Sequence, residues 1–208
     1  GIPAAWGVFQ QPVMEEYGLS EQGAGYAFGI LIAAFGVGCV LGGFLQDSRG
    51  PRCAALWGTA LLCGGFFAAA MLPGGSAVSF FLAFSIPAGL GTAFLYPSIQ
   101  SCAQKWYAGR KGLATGVIGG AVGLSGAFLT VFVRTAVSGF GIVQGIRGAF
   151  WALGAVTLPV CLAGSLLLQD PPQDAEKQQQ NDKNTIDLSP WQMLKTKQYW
   201  LCAGAVCF

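Results

Sequence analysis

The chain has 208 residues, of which 53% are hydrophobic and only 10% are charged, with a net charge of +2 and a mean hydropathy of +0.56. Soluble domains carry about 25% charged residues, so this chain has too little charge to cover a soluble surface. The composition excludes an ordinary soluble domain and indicates an integral membrane protein. No nucleic acid partner is expected.

The first residues, 1–14, are apolar but too short to cross a membrane, and they lack the basic start of a signal peptide. They are interpreted as the end of a truncated first helix. Five later segments contain no Asp, Glu, Lys or Arg and are long enough to cross the roughly 30 Å hydrocarbon layer as helices. These segments are Ala24–Gln46, Cys53–Leu72, Ala77–Ala103, Gly112–Val133 and Gly148–Leu168.

A polar stretch with tandem prolines follows the last of these segments, and its composition cannot bury a core. We therefore divide the chain into an N-terminal transmembrane bundle at 1–168, a cytoplasmic linker at 169–198 and the start of a second bundle at 199–208. The predicted fold is all-α and integral to the membrane. It is a six-helix bundle with a partial first helix and the start of a seventh, as in one half of a two-bundle transporter.

Basic residues predict the orientation, because Lys and Arg are retained in short cytoplasmic loops. Nine of the eleven lie in alternate connections, at 46–53, 104–111 and 169–198, and these connections are predicted to be cytoplasmic in a plasma (inner) membrane. The loop Glu15–Glu21 is then external. Arg134 and Arg147 also fall outside, where they either extend to lipid headgroups or form an anion-attracting mouth.

The charged segment between the first two full spans reads GGFLQDSRGPR, at Gly42–Arg52. It resembles the cytoplasmic signature between the second and third helices of the major facilitator superfamily, although Ser48 and Pro51 replace two of its usual residues. The alternative is a loop of solvated charges. The residues assigned to an inner gate motif are Gly43, Asp47, Arg49, Gly50 and Arg52. Gly43 is expected to allow close helix packing, and the resemblance implies that the Asp47 carboxylate lies near a helix N-terminus of the opposite half.

Three segments, one of them within Gly42–Arg52, resemble the oxalate/formate antiporter family: Trp6–Phe9 (WGVF), Gly50–Arg52 (GPR) and Lys105–Gly116 (KWYAGRKGLATG). The related monocarboxylate porters are the alternative. The resemblance implies a secondary-active or facilitative transporter that moves small organic anions such as oxalate, formate or pyruvate by alternating access. It also implies a partner in the missing C-terminal bundle of the same protein, besides the lipid bilayer and the small carboxylate substrate.

In this superfamily the first and fourth helices line the substrate cavity, with parts of the second and fifth. Aromatic rings offer flat faces to a planar anion, and glutamine amides donate hydrogen bonds without the desolvation cost of a charge. Helix packing or an interfacial aromatic belt is the alternative. The candidate cavity residues are Trp6, Gln10, Gln11, Tyr26, Tyr96 and Gln100.

The fifth helix is the richest in glycine, and small residues at three- and four-residue spacing let helices approach closely. We assign helix packing to the residues Gly116, Gly119, Gly120 and Gly123. Rocking of the two bundles along this smooth seam is a secondary hypothesis.

The five spans contain no ionisable residue that would act as a proton relay. Many proton-coupled members of the superfamily have an Arg before a G-x-G pair in the fourth helix, but here Ser85 precedes Gly89 and Gly91. Exchange or facilitated movement is therefore favoured over proton coupling. The cysteines lack metal-like spacing and histidine is absent, so no metal, cofactor or enzymatic activity is expected. A transporter-like sensor is the remaining alternative.

Overall fold

The computed structural model describes residues 2–72, 76–140 and 142–168, and these residues form six helices. The helices are α1 (Ile2–Tyr17), α2 (Glu21–Arg49), α3 (Pro51–Met71), α4 (Ala77–Trp106), α5 (Lys111–Phe140) and α6 (Ile142–Leu167). Helices α2 to α6 each contain a stretch long and apolar enough to cross a membrane. The prediction of a multi-pass, all-α membrane fold is therefore confirmed.

Helix α1 extends further than expected, because Glu15, Glu16 and Tyr17 continue the helix instead of starting a loop. The predicted external loop Glu15–Glu21 is wrong in this part, and the link to α2 consists of residues 18–20. The link closes with the Leu19 N–H donating to the Met14 carbonyl. The Ser20 hydroxyl then accepts from the Gly23 N–H and caps α2.

Helix α2 continues to Arg49, so the charged segment that we predicted as a connection between two spans is helical over most of its length. A single residue, Gly50, separates α2 from α3. Its φ of 85° lies in a region that favours glycine, and its N–H donates to the Gln46 carbonyl and closes α2. Pro51 begins α3, where a missing N–H costs nothing.

Helix α4 is the central element of the bundle and contains three segments: Ala77–Phe80, a π-helical turn at Phe81–Ser85, and Ile86–Trp106. It packs extensively against α2 and α3. Helix α6 packs against α3 and α5, and α1 packs against α5 and α6. A short 3₁₀ turn, Ala108–Arg110, connects α4 to α5.

The bundle has two ends, which we name after residues that lie there. The Tyr17 end contains the end of α1 and the starts of α4 and α6, and the Gly50 end contains the α2–α3 link and the end of α4. The chain divides into units at 1–170 and 171–208. The predicted linker at 169–198 and the predicted second bundle at 199–208 lie outside the described residues.

Candidate functional site

Aromatic rings fill the bundle near the Tyr17 end. Phe84 is buried and lies 5.1 Å from Phe150, 5.2 Å from Phe80 and 5.9 Å from Phe66, measured between ring centroids. Trp6 lies 6.5 Å from the same ring. These rings come from α1, α3, α4 and α6, and ring pairs at such distances add to the stability that burial alone provides. The aromatic cluster therefore joins four helices at one depth.

Tyr17 connects the aromatic cluster to the end of α3. Its hydroxyl donates to the Ala69 carbonyl at 2.7 Å, and its ring lies 4.7 Å from the ring of Phe80. The Ala69 carbonyl also accepts the Leu72 N–H at 3.3 Å, so the Tyr17 hydroxyl is its second donor near the end of α3.

An ion pair joins α1 to α6 beside this hydrogen bond. The Arg147 guanidinium pairs with the Glu16 carboxylate, whose side chain is 4% exposed, while that of Arg147 is 38% exposed. From the sequence, Arg147 was expected either to extend to lipid headgroups or to attract anions at an external mouth. Neither expectation includes an ion pair with Glu16. The sequence contains opposite charges near two helix ends, but it has no signal that pairs α1 with α6.

Glycines determine how α4 meets its neighbours towards the Gly50 end. A Cβ added at Gly38 of α2 would lie 2.6 Å from the Ala93 Cβ. One at Gly58 of α3 would lie 2.8 Å from the Gly91 carbonyl oxygen, and one at Gly91 would lie 2.5 Å from the Leu62 backbone nitrogen. Such distances leave no room for a side chain, so α2 and α3 both approach the α4 backbone directly.

Neutral hydrogen bonds hold the Gly50 end together. The Gln46 amide of α2 donates to the Ser101 hydroxyl of α4 at 2.9 Å. The Gln104 amide of α4 donates to the Thr115 hydroxyl of α5, also at 2.9 Å. Both pairs are partly buried, and together they join the ends of α2 and α4 to the start of α5. Sequence reasoning missed these four residues, because uncharged polar side chains are common at span ends.

The predicted inner gate residues lie around the α2–α3 link. Asp47, Arg49 and Arg52 are exposed. A Cβ at Gly43 would meet nothing within 4 Å, so the expected close packing at Gly43 is wrong for the described bundle. The neighbouring Gly42 has that function instead, because a Cβ there would lie 3.0 Å from the Phe94 ring.

The six candidate cavity residues occupy three environments. Trp6 is only 6% exposed and stacks on Phe28 at 5.9 Å, so it belongs to the aromatic cluster and lines no open surface here. Gln11 and Tyr26 are exposed, Tyr26 at 67%. The half-buried residues are Gln10, Tyr96 and Gln100. Tyr96 and Gln100 are four residues apart in α4 and therefore share a helix face.

The four α5 glycines predicted to pack face open space within the described part of the chain. A Cβ added at any of them would meet nothing within 4 Å: Gly116, Gly119, Gly120 and Gly123. Their expected packing against a neighbouring helix does not occur among the described residues. Large apolar side chains, including Leu124 and Phe128, are exposed on the same helix. In the described ranges, no group of three or more His, Cys, Asp or Glu side chains could hold a metal ion.

Sequence comparisons with known proteins find a matching family and several relatives. The sequence profile of the Major Facilitator Superfamily matches residues 3–208. The oxalate:formate antiporter of Oxalobacter formigenes is 24% identical over 203 residues, which cover 97% of this chain and 46% of the relative. Monocarboxylate transporter 2 of Homo sapiens is 27% identical over 200 residues, which cover 95% of this chain and 40% of the relative.

A third relative has a name without a function. It is an uncharacterized 38 kDa protein in the 23S RNA operon of Thermoproteus tenax, 30% identical over 166 residues, which cover 80% of this chain and 42% of the relative. The chain spans less than half the length of each of these curated relatives.

Proposed function

The chain belongs to the Major Facilitator Superfamily of membrane transporters, and on that premise we propose that it forms one half of a carrier for small carboxylates. The carrier exchanges or facilitates the movement of oxalate-, formate- or pyruvate-like anions by alternating access. The observation that supports this most is the match to a relative named for oxalate and formate, which covers 97% of the chain. We also propose that the carrier resides in the plasma membrane.

The proposed substrate surface combines Gln10 of α1 with Tyr96 and Gln100 of α4. All three are half-buried, so they are near enough to the bundle interior to lose part of their hydration and open enough to meet a ligand. Each offers hydrogen-bond donors for a carboxylate oxygen without a buried charge. The exposed Gln11 and Tyr26 are weaker candidates for this surface.

The cationic partner of the substrate is assigned to the missing C-terminal bundle. Arg147 is a poor partner for an anion, because Glu16 already compensates its charge. A second bundle also accounts for the open glycines of α5, which we propose as a seam for close packing between the two halves. Asp47, Arg49 and Arg52 are exposed at the Gly50 end, where they are available to contact that second half as an inner gate.

Counterflow in proteoliposomes tests the proposal with the full-length protein. Vesicles loaded with unlabelled oxalate, formate or pyruvate are expected to accumulate the labelled anion, and labelled amino acids and sugars serve as controls. Proton-driven uptake without internal substrate would favour a monocarboxylate-porter-like mechanism instead. Anion binding without any counterflow would contradict transport and favour a sensor.

The substrate surface is tested by a matched pair of tyrosine variants. Tyr96→Phe removes one hydroxyl from the half-buried face of α4, and we expect about a fivefold rise in the transport KM, as for one lost hydrogen bond of ordinary strength. Tyr26→Phe makes the same change at an exposed position and should leave the KM unaltered. Equal KM values in both variants would remove Tyr96 from the substrate surface.

A further inference from the structure

The π-helical turn Phe81–Ser85 interrupts α4 at the level of the aromatic cluster. Its wider hydrogen-bond pattern is seen where the Ile86 N–H donates to the Phe81 carbonyl, five residues back. On the preceding side, the Phe81 N–H is shared between the Ala77 and Val78 carbonyls. A π-turn contains one residue more than the α-helical turn it replaces, and such turns occur frequently at functional sites.

Ser85 has a buried hydroxyl that lacks a hydrogen-bond partner, and its side chain is 0% exposed. A hydroxyl within a helix commonly donates to the carbonyl four residues earlier. Three hydroxyls of α3 and α4 make this bond at 2.7–2.9 Å: Thr59, Thr92 and Ser98. Ser85 does not make the corresponding bond to Phe81, whose carbonyl accepts the Ile86 N–H in the π-turn. An unpaired buried hydroxyl is costly, so an arrangement that pairs it has a counterbalancing advantage.

The segment that follows the π-turn cannot rotate within the bundle. Added Cβ atoms at Gly89 and Gly91 would collide with the backbones of α2 and α3, because these helices already contact α4 there. The segment before the π-turn is only four residues long, Ala77–Phe80, and its Ser76 cap makes no side-chain hydrogen bond. A change of register in the π-turn must therefore move Ala77–Phe80 and leave Ile86–Trp106 in place.

We propose that Phe81–Ser85 is a two-register switch, in which the π-turn converts to an α-helical turn and the Ser85 hydroxyl then donates to the Phe81 carbonyl. One residue of register corresponds to a rotation of about 100° and a shift of about 1.5 Å along the helix axis. The tilted ring contacts of Phe80 with Tyr17 and Phe84 hold the π register. The new hydroxyl bond holds the α register, so each state has an interaction that the other lacks.

The switch controls the Tyr17 end of the bundle. Rotation of Ala77–Phe80 withdraws Phe80 from Tyr17, which also binds the end of α3 through the Ala69 carbonyl. The ends of α1 and α3 and the start of α4 are then released together, while the glycine contacts of α4 with α2 and α3 persist. The bundle thereby gains a local opening motion at one end, in addition to any movement of the whole half.

Spin-label distances in the full-length protein test the switch. Labels are attached at Met71 of α3 and Val78 of α4, which are both exposed, after the native cysteines are replaced. We expect two distance populations, because Val78 rotates with the moving segment and Met71 does not. A second pair, Leu41 and Ile99, lies on segments without the register change and should give one population. A single Met71–Val78 population would overturn the proposal, even if Ser85 could not be replaced.

Ser85→Ala is the decisive variant, and Ser98→Ala is its matched control on the same helix. Ser85→Ala removes the bond that holds the α register. The Met71–Val78 populations should therefore shift about fivefold towards the π register. Ser98→Ala removes an equally buried hydroxyl outside the π-turn and should leave the populations unchanged. An unshifted distribution in Ser85→Ala would also overturn the switch. These distances do not depend on the substrate, so counterflow can fail while the switch is observed, and the reverse.

Discussion

The two ends of this bundle are stabilised in different ways. At the Tyr17 end, large rings fill the space between helices, and a tyrosine hydrogen bond and the Glu16–Arg147 pair join the helix ends. Towards the Gly50 end, glycines allow backbones to approach, and neutral amide–hydroxyl bonds join α2, α4 and α5. Large side chains therefore separate the helices at the Tyr17 end. Glycines, which have no side chain, let the helices approach closely towards the Gly50 end.

The difference matters because lipid surrounds the helices. Apolar side chains gain little by leaving lipid for protein, so association depends on close packing and on polar contacts. Glycine contacts provide close packing with little freedom to rearrange. Ring stacks have alternative arrangements, because a ring can leave one partner for another. We therefore expect the Gly50 end to behave as the rigid part and the Tyr17 end as the adjustable part of this bundle.

The largest expected effect comes from filling a glycine contact. Gly91→Ala introduces a Cβ 2.5 Å from the Leu62 backbone nitrogen, and the α3 and α4 backbones cannot yield as a flexible side chain would. We expect a loss of about 3 kcal/mol of stability, from overpacking, measured by thermal unfolding of the full-length protein in detergent. Gly64→Ala on α3 is the control, since an added Cβ there meets nothing within 4 Å. Equal stability of the two variants would contradict the rigid character of this end.

The next effect tests the ion pair of the Tyr17 end. Glu16→Gln leaves the Arg147 guanidinium without its charged partner, and we expect a loss of about 2 kcal/mol, less than for a fully buried pair because Arg147 is partly exposed. Thermal unfolding measures this loss. Glu15→Gln changes the exposed neighbour and should have an effect below about 0.5 kcal/mol.

A charge reversal separates the ion pair from other functions of Glu16. The double variant Glu16→Arg with Arg147→Glu should recover part of the stability that either single reversal loses. No recovery, together with an unchanged melting temperature in Glu16→Gln, would show that the pair contributes nothing to this end.

The smallest effect concerns the neutral bonds of the Gly50 end. A double-mutant cycle of Gln46→Ala and Ser101→Ala should give a coupling energy of about 0.5–1 kcal/mol, the net value of one partly buried hydrogen bond. The cycle of Gln46→Ala with Ser98→Ala should give none, because the Ser98 hydroxyl bonds its own helix. Similar coupling in both cycles would mean that the Gln46–Ser101 bond does not join α2 to α4.

The spans were predictable from the sequence, because charge is excluded from the hydrocarbon layer over a known length. Their ends were not, since a helix continues beyond the layer wherever local caps allow. Ser20 and Gly50 decided where α2 begins and ends, and the predicted charged connection became the last turns of a helix. The π-turn was also invisible, because Phe81–Ser85 has an ordinary apolar composition.

The candidate site was predictable only in part. Spacing predicted packing at the glycines of α5 and at Gly43, but among the described residues Gly42, Gly58 and Gly91 make the close contacts. Packing at the α5 glycines stays a prediction. Glycine content alone does not reveal which helix face meets a neighbour. The burial of Trp6 could not be foreseen for the same reason, because its partners Phe28 and Phe84 come from other helices. Its place in a substrate cavity stays a prediction.

The sequence by itself determined the class of protein, the number of full spans and the superfamily, because each depends on local composition or on short motifs. Tertiary structure alone decided which charges pair, which glycines are filled by a neighbouring backbone and which hydroxyl lacks a partner. These properties depend on contacts between residues far apart in the chain. Glu16 and Arg147 are separated by most of the bundle's sequence, and only the packing of α1 against α6 brings them together.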